Sequence, residues 1–184
     1  MKISDEELIH DVLQGDTESF AFIVDRYKVQ IFNLMYRYSN TREDAADMTQ
    51  EVFCRAFEKL RKYRHREQFF SWLYTLALNY ARDWARKRKK RGRAIAGYSM
   101  EAGIDAEPPI YSGSESAQDV DHLAAALETL ADDRREMVLL RYRHERSIKE
   151  LAEIFRLSES AVKMRLHRAL DDLRSVMEKN NHGQ

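Results

Sequence analysis

Two sets of side chains in this chain have the types and spacing to grip a polyanion. Thr75, Asn79, Arg82 and Arg86 recur at intervals of three and four residues, which on a helix makes one polar stripe. The stripe runs into Lys87-Arg88-Lys89-Lys90-Arg91. Short hydrogen-bonding side chains beside a dense cationic end suit a surface that holds a phosphate backbone and reads a few bases. Cations at a helix C-terminus also complement the macrodipole. That accounts for one or two charges, not for seven in the eight residues Arg86–Arg93. The preceding segment, Lys62-Tyr63-Arg64-His65-Arg66-Glu67-Gln68, reads as a polar, cationic loop able to take single-stranded bases. The second set is Ser160, Lys163, Met164, His167 and Arg168, spaced to share the outward face of one helix. Residues near the start of such a helix reach base edges, and flanking cations hold phosphates.

Residue patterns for catalysis are absent. The chain has no P-loop, no dinucleotide fingerprint and no His-Glu-x-x-His. Its six histidines, His10, His65, His122, His144, His167 and His182, stand at no ligand spacing. The single cysteine, Cys54, rules out an internal disulfide and a thiolate-rich zinc site, and reads as a small core residue beside Phe53. Asp132–Asp133 reads as a helix cap rather than a catalytic pair. Binding rather than enzymatic chemistry is expected, with no cofactor and no metal.

Charge supports the polyanion reading. Lys plus Arg and Asp plus Glu are each 31, so the formal net charge is zero. The charges are nevertheless segregated: Met1–Leu60 carries −5, Arg61–Arg93 +10, Ala94–Asp133 −9 and Arg134–Gln184 +4. Two basic regions split by an acidic one suggest two contacts with nucleic acid. No apolar run approaches the ~18 residues of a membrane span, and Met1–Glu7 lacks the apolar core of a signal peptide. A soluble, cytoplasmic protein is expected.

The elements that must hold these residues are helices. Two prolines, six glycines and few β-branched runs favour an all-α chain. Four glycines and both prolines fall in Gly92–Gln118, a polar linker between helical domains 1–91 and 119–184. Ser4 and Glu7 form a capping box that opens a first helix with Leu8, Ile9, Val12 and Leu13 as its apolar face, ended by Gly15. The second helix starts at Asp16 or Thr17, buries Phe20, Ile23, Val24, Tyr27, Ile31, Leu34 and Met35, and breaks at Asn40–Thr41. The third runs from about Thr41 to about Leu60 on Ala45, Met48, Val52, Phe53, Ala56, Phe57 and Leu60. It turns Asp47, Gln50, Glu51 and Arg55 outward. In the fourth, roughly Gln68 to Arg91, Trp72, Leu76, Tyr80 and Trp84 recur every four residues and read as a core stripe.

The second half reads as short helices ending in a helix-turn-helix. Val120, Leu123, Ala124, Leu127 and Leu130 form one amphipathic face. Asp132 or Asp133 caps the next helix. Ser147 and Glu150 form a second capping box, followed by Ile148, Leu151, Ala152 and Phe155. Arg156-Leu157-Ser158 is the turn, with Arg156 where a glycine would tolerate positive φ more readily. Ser158 caps a last helix buried through Ala161, Val162, Leu166, Ala169, Leu170 and Leu173. An ordinary αα-hairpin is the plainer alternative.

Three segments, in order, resemble bacterial sigma factors. Asp44-Ala-Ala-Asp-Met-Thr-Gln-Glu-Val-Phe53 resembles their core-polymerase-binding signature. Phe70-Ser-Trp-Leu-Tyr-Thr-Leu-Ala-Leu-Asn79 is similar to the promoter-melting, −10-reading helix, and Ser147–Arg174 to the −35-reading helix-turn-helix. The order and spacing resemble the two-domain extracytoplasmic-function group (group 4). The resemblance implies that Asp44, Asp47, Gln50 and Glu51 bind the β′ clamp helices of core RNA polymerase, and that the second domain sits on the β flap. It implies that Arg64, His65, Arg66 and Gln68 hold a flipped −10 base with Asn79 and Arg82 beside them. Arg86 and Lys89 would support the backbone of the promoter DNA. Ser160, Lys163, Met164, His167 and Arg168 would face the −35 major groove, with Arg165 near the backbone. It also implies an anti-sigma partner and an acidic linker along the RNA exit path. A two-domain helix-turn-helix regulator would explain the second half alone, and an RNA-binding or scaffold protein only the charge.

Overall fold

The computed structural model describes residues 3–64, 68–95 and 117–181, and among them every regular element is helical. The chain divides into two compact units, Met1–Glu107 and Pro108–Gln184.

The first unit contains α1 (Asp5–Gln14), α2 (Ser19–Ser39), α3 (Arg42–Lys59) and α4 (Phe69–Ile95), with a 3₁₀ turn at Leu60–Lys62. Local chemistry sets the ends. The Ser4 hydroxyl accepts from the Glu7 N–H and the Glu7 carboxylate accepts from the Ser4 N–H, so both halves of the capping box are made. Gly15 closes α1 at φ 111°, open only to a residue without Cβ. Asn40 ends α2 in the left-handed region, and Thr41 caps α3 through the Asp44 N–H. Burying this core supplies the unit's stability, at about 1.5–3 kcal/mol for each large apolar side chain removed from water.

α2 packs on α1, α3 and α4, and α3 on α4. Their shared core holds Ile23, Ile31, Leu34, Met48, Val52, Phe70, Leu73, Tyr74 and Leu78. Four expectations need correction. The buried stripe of α4 is Phe69, Phe70, Leu73, Tyr74, Ala77, Leu78 and Ala81; Trp72, Leu76, Tyr80 and Trp84 are half-buried along its flank. α2 and α3 both pack on α4, and the four-residue repeat lies beside the stripe they bury. Cys54 is exposed, because it lies outside the α3 stripe that buries Phe53 and Ala56. Phe57 is 41% exposed, in a T-shaped contact with Phe20. Leu13 also stays largely exposed at the end of α1. α4 continues through Gly92 to Ile95, and Ala117–Gln118 opens α5; residues 96–116 of the expected linker lie outside the described residues.

The second unit contains α5 (Ala117–Glu128), α6 (Asp132–Val138), α7 (Ile148–Phe155) and α8 (Glu159–Asn181). α5, α6 and α7 all pack on α8. The buried residues include Ala126, Leu127, Leu130, Met137, Leu140, Leu151, Ile154, Val162, Leu166, Ala169 and Leu173. The side chain of Val120 lies outside the described set, and Leu123 is 38% exposed. Asp132 and Asp133 do not cap α6. Its N-cap is Ala131, and the two carboxylates sit inside the first turn, where they still favour the positive end of the dipole. A π-helical turn, Leu139–Arg143, follows α6 directly and was not expected from the sequence.

Candidate functional site

α3 carries an acidic face away from its buried stripe. Asp47 and Gln50 are exposed, and Glu51 and Asp44 half-buried. The Glu51 carboxylate accepts from Arg55 Nε at 2.6 Å. The Arg55 guanidinium lies over the Tyr80 ring of α4, 4.6 Å from its centroid. Burial, then the Glu51 charge, pushes the Tyr80 phenol above its usual range; Arg55 opposes this and Asp47 adds to it. Asp47 and Glu51 thus act electrostatically on one edge of α4. Asp44 lies in the first turn of α3 and lines a different feature, a cleft shared with the cationic end of α4.

α4 places Asn79, Arg86 and Lys89 on the surface and Arg82 half-buried. Thr75 is half-buried, and its hydroxyl donates to the Ser71 carbonyl at 2.7 Å. Arg86 donates to Asp83 at 2.5 Å, an exposed pair on the same helix face. Arg88 departs from the cationic run. It donates to the Ser39 carbonyl at 2.5 Å and stacks over Trp84 at 5.2 Å, so it braces the end of α2 against α4. Arg64 and Gln68 are exposed on either side of the loop; His65 and Arg66 lie outside the described residues. Tyr63 anchors the loop's entry, edge-on to Phe69 at 5.4 Å and tilted on Trp72 at 5.5 Å.

The second unit builds its face on α8. Both halves of the Ser147–Glu150 capping box form, setting the start of α7. Burial pushes the Glu150 carboxyl up, but hydrogen bonds from the Ser147 N–H and hydroxyl and from Arg146 outweigh it, and its pKa falls below the usual value. Arg156 closes α7 at φ 54° and ψ 50°, the left-handed geometry in which a glycine would be unstrained. Ser158 then caps α8 by accepting from the Ala161 N–H at 3.2 Å. Val162, Leu166, Ala169 and Leu173 are buried. Ser160, Lys163, Met164, Arg165, His167 and Arg168 are all exposed, so the structure brings this predicted face together. His167 is not aimed outward alone: its Nδ1 lies 2.8 Å from Asp171. The π turn aims α7. Arg141 from that turn donates to the Arg146 carbonyl at 3.0 Å, and Arg146 pairs with Glu150 at 3.2 Å.

Among the described residues no group of His, Cys, Asp and Glu could hold a metal ion, and no helix is long and apolar enough to cross a membrane.

Residues 23–91 match the family model for Sigma-70 region 2, and residues 121–173 that for Sigma-70, region 4. The ECF RNA polymerase sigma factor SigW of Bacillus subtilis (strain 168) is 30% identical over 184 residues, covering 96% of this chain and 98% of the relative. The ECF RNA polymerase sigma-E factor of Escherichia coli (strain K12) is 28% identical over 177 residues, covering 91% of each. Among solved structures, RpoE in complex with the anti-sigma factor NepR from Bartonella quintana matches with a TM-score of 0.71 at 23% identity, covering 88% of this chain and 98% of that one. CnrH in complex with the cytosolic domain of CnrY matches with a TM-score of 0.70 at 23% identity, covering 95% and 97%.

Proposed function

The chain belongs to the sigma-70 family, and we propose from this that it binds core RNA polymerase and directs promoter-specific initiation of transcription. The observation that carries this reading is the pairing of region 2 and region 4, in order, each on its own helical unit. A helix-turn-helix regulator that does not replace a sigma factor leaves the region 2 match unexplained. The protein acts by binding, not by catalysis, and works in the cytoplasm where its polymerase is. The kinship with SigW and sigma-E supports membership of the extracytoplasmic-function group, which is group 4 of the sigma-70 family.

The first unit takes the β′ clamp helices on Asp44, Asp47, Gln50 and Glu51. It takes the −10 element with the Arg64–Gln68 loop, Asn79, Arg82, Arg86 and Lys89. The second unit reads −35 with Ser160, Lys163, Met164, His167 and Arg168, supports the backbone with Arg165, and docks on the β flap. The stretch between α4 and α5 tethers the two. An anti-sigma factor is a further partner; a structure of similar fold holds one. Runoff transcription with core polymerase on genomic fragments tests the function and reveals the promoter. Transcripts that start at one promoter class only when the protein is added support the reading, and their absence overturns it. For the polymerase face, Gln50→Ala with Glu51→Lys should weaken core binding in a pull-down titration while far-ultraviolet circular dichroism is unchanged. Undiminished affinity would move the interface elsewhere.

A further inference from the structure

On the outward face of α8, His167 has a partner on its own helix. Its Nδ1 lies 2.8 Å from Oδ2 of Asp171, four residues further on, and the two side chains are 77% and 52% exposed. Arg174 approaches the other Asp171 oxygen, at 4.0 Å, which leaves Oδ2 to the imidazole. Lys163, one turn earlier on the same face, can only donate, so it offers no acceptor to the ring. An exposed ion pair within one helix adds little to stability. The consequence of this pair is chemical.

A carboxylate only accepts, so the hydrogen between the two residues belongs to Nδ1. A neutral imidazole carries one N–H and one bare nitrogen. With the hydrogen on Nδ1, Nε2 keeps its lone pair and accepts. Without Asp171 the hydrogen is free to move to Nε2, which then donates. The two states read different bases in a major groove. An acceptor meets the amine of cytosine or of adenine, whereas guanine and thymine present acceptors to a donor at O6, N7 and O4. We propose that Asp171 is a positioning residue for −35 recognition: it holds His167 as the Nδ1–H tautomer, so that Nε2 accepts from the amine of a cytosine or an adenine. The inference rests on the −35 reading of α8, to which it adds a residue and the kind of base that is read.

The test uses holoenzyme assembled from core polymerase with the native chain, His167→Ala or Asp171→Ala, on the promoter that runoff transcription reveals. Each position of the −35 element is replaced by all four bases in turn. Binding is measured in mildly alkaline buffer, where imidazole is neutral. At one position the native chain should prefer an amine-bearing base over guanine or thymine by roughly fivefold, the worth of one hydrogen bond. His167→Ala should abolish that preference and so locate the position. Asp171→Ala should bring guanine and thymine within about twofold there. Losing a carboxylate near phosphates also raises the affinity for every fragment alike, so the ratio between bases carries the test. A second readout needs no DNA. Nitrogen-15 NMR of the full chain with labelled histidine should place the His167 hydrogen on Nδ1, and Asp171→Ala should move it toward Nε2. An amine preference that survives Asp171→Ala, a preference for guanine or thymine at the His167 position, or a native His167 with its hydrogen on Nε2 overturns the proposal. If His167→Ala changes the preference at no position, the −35 reading of His167 itself fails, and the proposal falls with it.

Discussion

Arg55 on α3 and Tyr80 on α4 are joined face to face, the guanidinium 4.6 Å from the ring centroid while its Nε holds Glu51 at 2.6 Å. The acidic side of α3 is thereby fixed against the helix that carries Asn79 and Arg82. The side chains proposed for the polymerase and those proposed for the promoter therefore sit on two helices held together within one unit.

Arg55→Ala removes this bridge. A partly exposed cation–π contact contributes about 0.5–1 kcal/mol and an exposed helical ion pair about 0.3–0.5 kcal/mol. Urea unfolding should show the first unit destabilised by about 1 kcal/mol, with an unchanged dependence on denaturant. No change in midpoint would mean that the bridge is ornamental.

Arg156→Gly should stabilise the second unit. The left-handed backbone at φ 54° costs an L-residue about 1–2 kcal/mol, and glycine avoids that cost. Glycine's freedom in the unfolded chain returns about 0.4–1 kcal/mol of the gain. A net rise of about 0.5–1 kcal/mol should appear in thermal or urea unfolding. Arg156→Val should act in the opposite direction, since β-branching worsens the strain.

The Glu150 capping box predicts a particular acid response. Its folded pKa is lowered from the ordinary 4.5, so its contribution to stability is fully present above 4.5. That contribution is lost as pH falls through the lower folded value. Glu150→Gln can still make the reciprocal cap but carries no charge. Melting curves over a pH series should show the variant less stable near neutrality and less sensitive to pH below 4.5 than the native chain. Parallel curves for the two proteins would refute the assignment.

Lys163 and Lys89 should fail differently. Lys163 is exposed on the outward face of α8, and Lys89 on the cationic end of α4. Losing a base contact costs about 1–3 kcal/mol and relaxes preference at one position. Losing a phosphate contact weakens all sequences and lowers the salt slope by roughly one unit. In holoenzyme binding over a salt series, Lys163→Ala should narrow the gap between cognate and −35-altered fragments. Lys89→Ala should lower both together and flatten the slope. If Lys163→Ala lowered both equally, the recognition face would be misassigned.

Much of this molecule is legible from the sequence, because the deciding signals are local. Ser4 with Glu7 and Ser147 with Glu150 lie within one helical turn, and both capping boxes form as read. Asn40 and Gly15 end helices by their own backbone freedom. The burial of Val162, Leu166 and Leu173 by itself orients Lys163 and Arg168 outward. The tertiary structure decided what depends on a distant neighbour. The repeat Trp72–Leu76–Tyr80–Trp84 has core spacing, yet lies on a flank because α2 and α3 pack on the neighbouring Phe70–Leu73–Ala77–Leu78 stripe. Arg88 reads as one cation among many until Ser39, 49 residues away in sequence, takes its guanidinium. Asp44 has the spacing of its acidic neighbours, but only the packing of α3 on α4 brings it to Lys87 and Arg91. Local pattern dictates which face of a helix is apolar; which part of that face is covered depends on the surface packed against it.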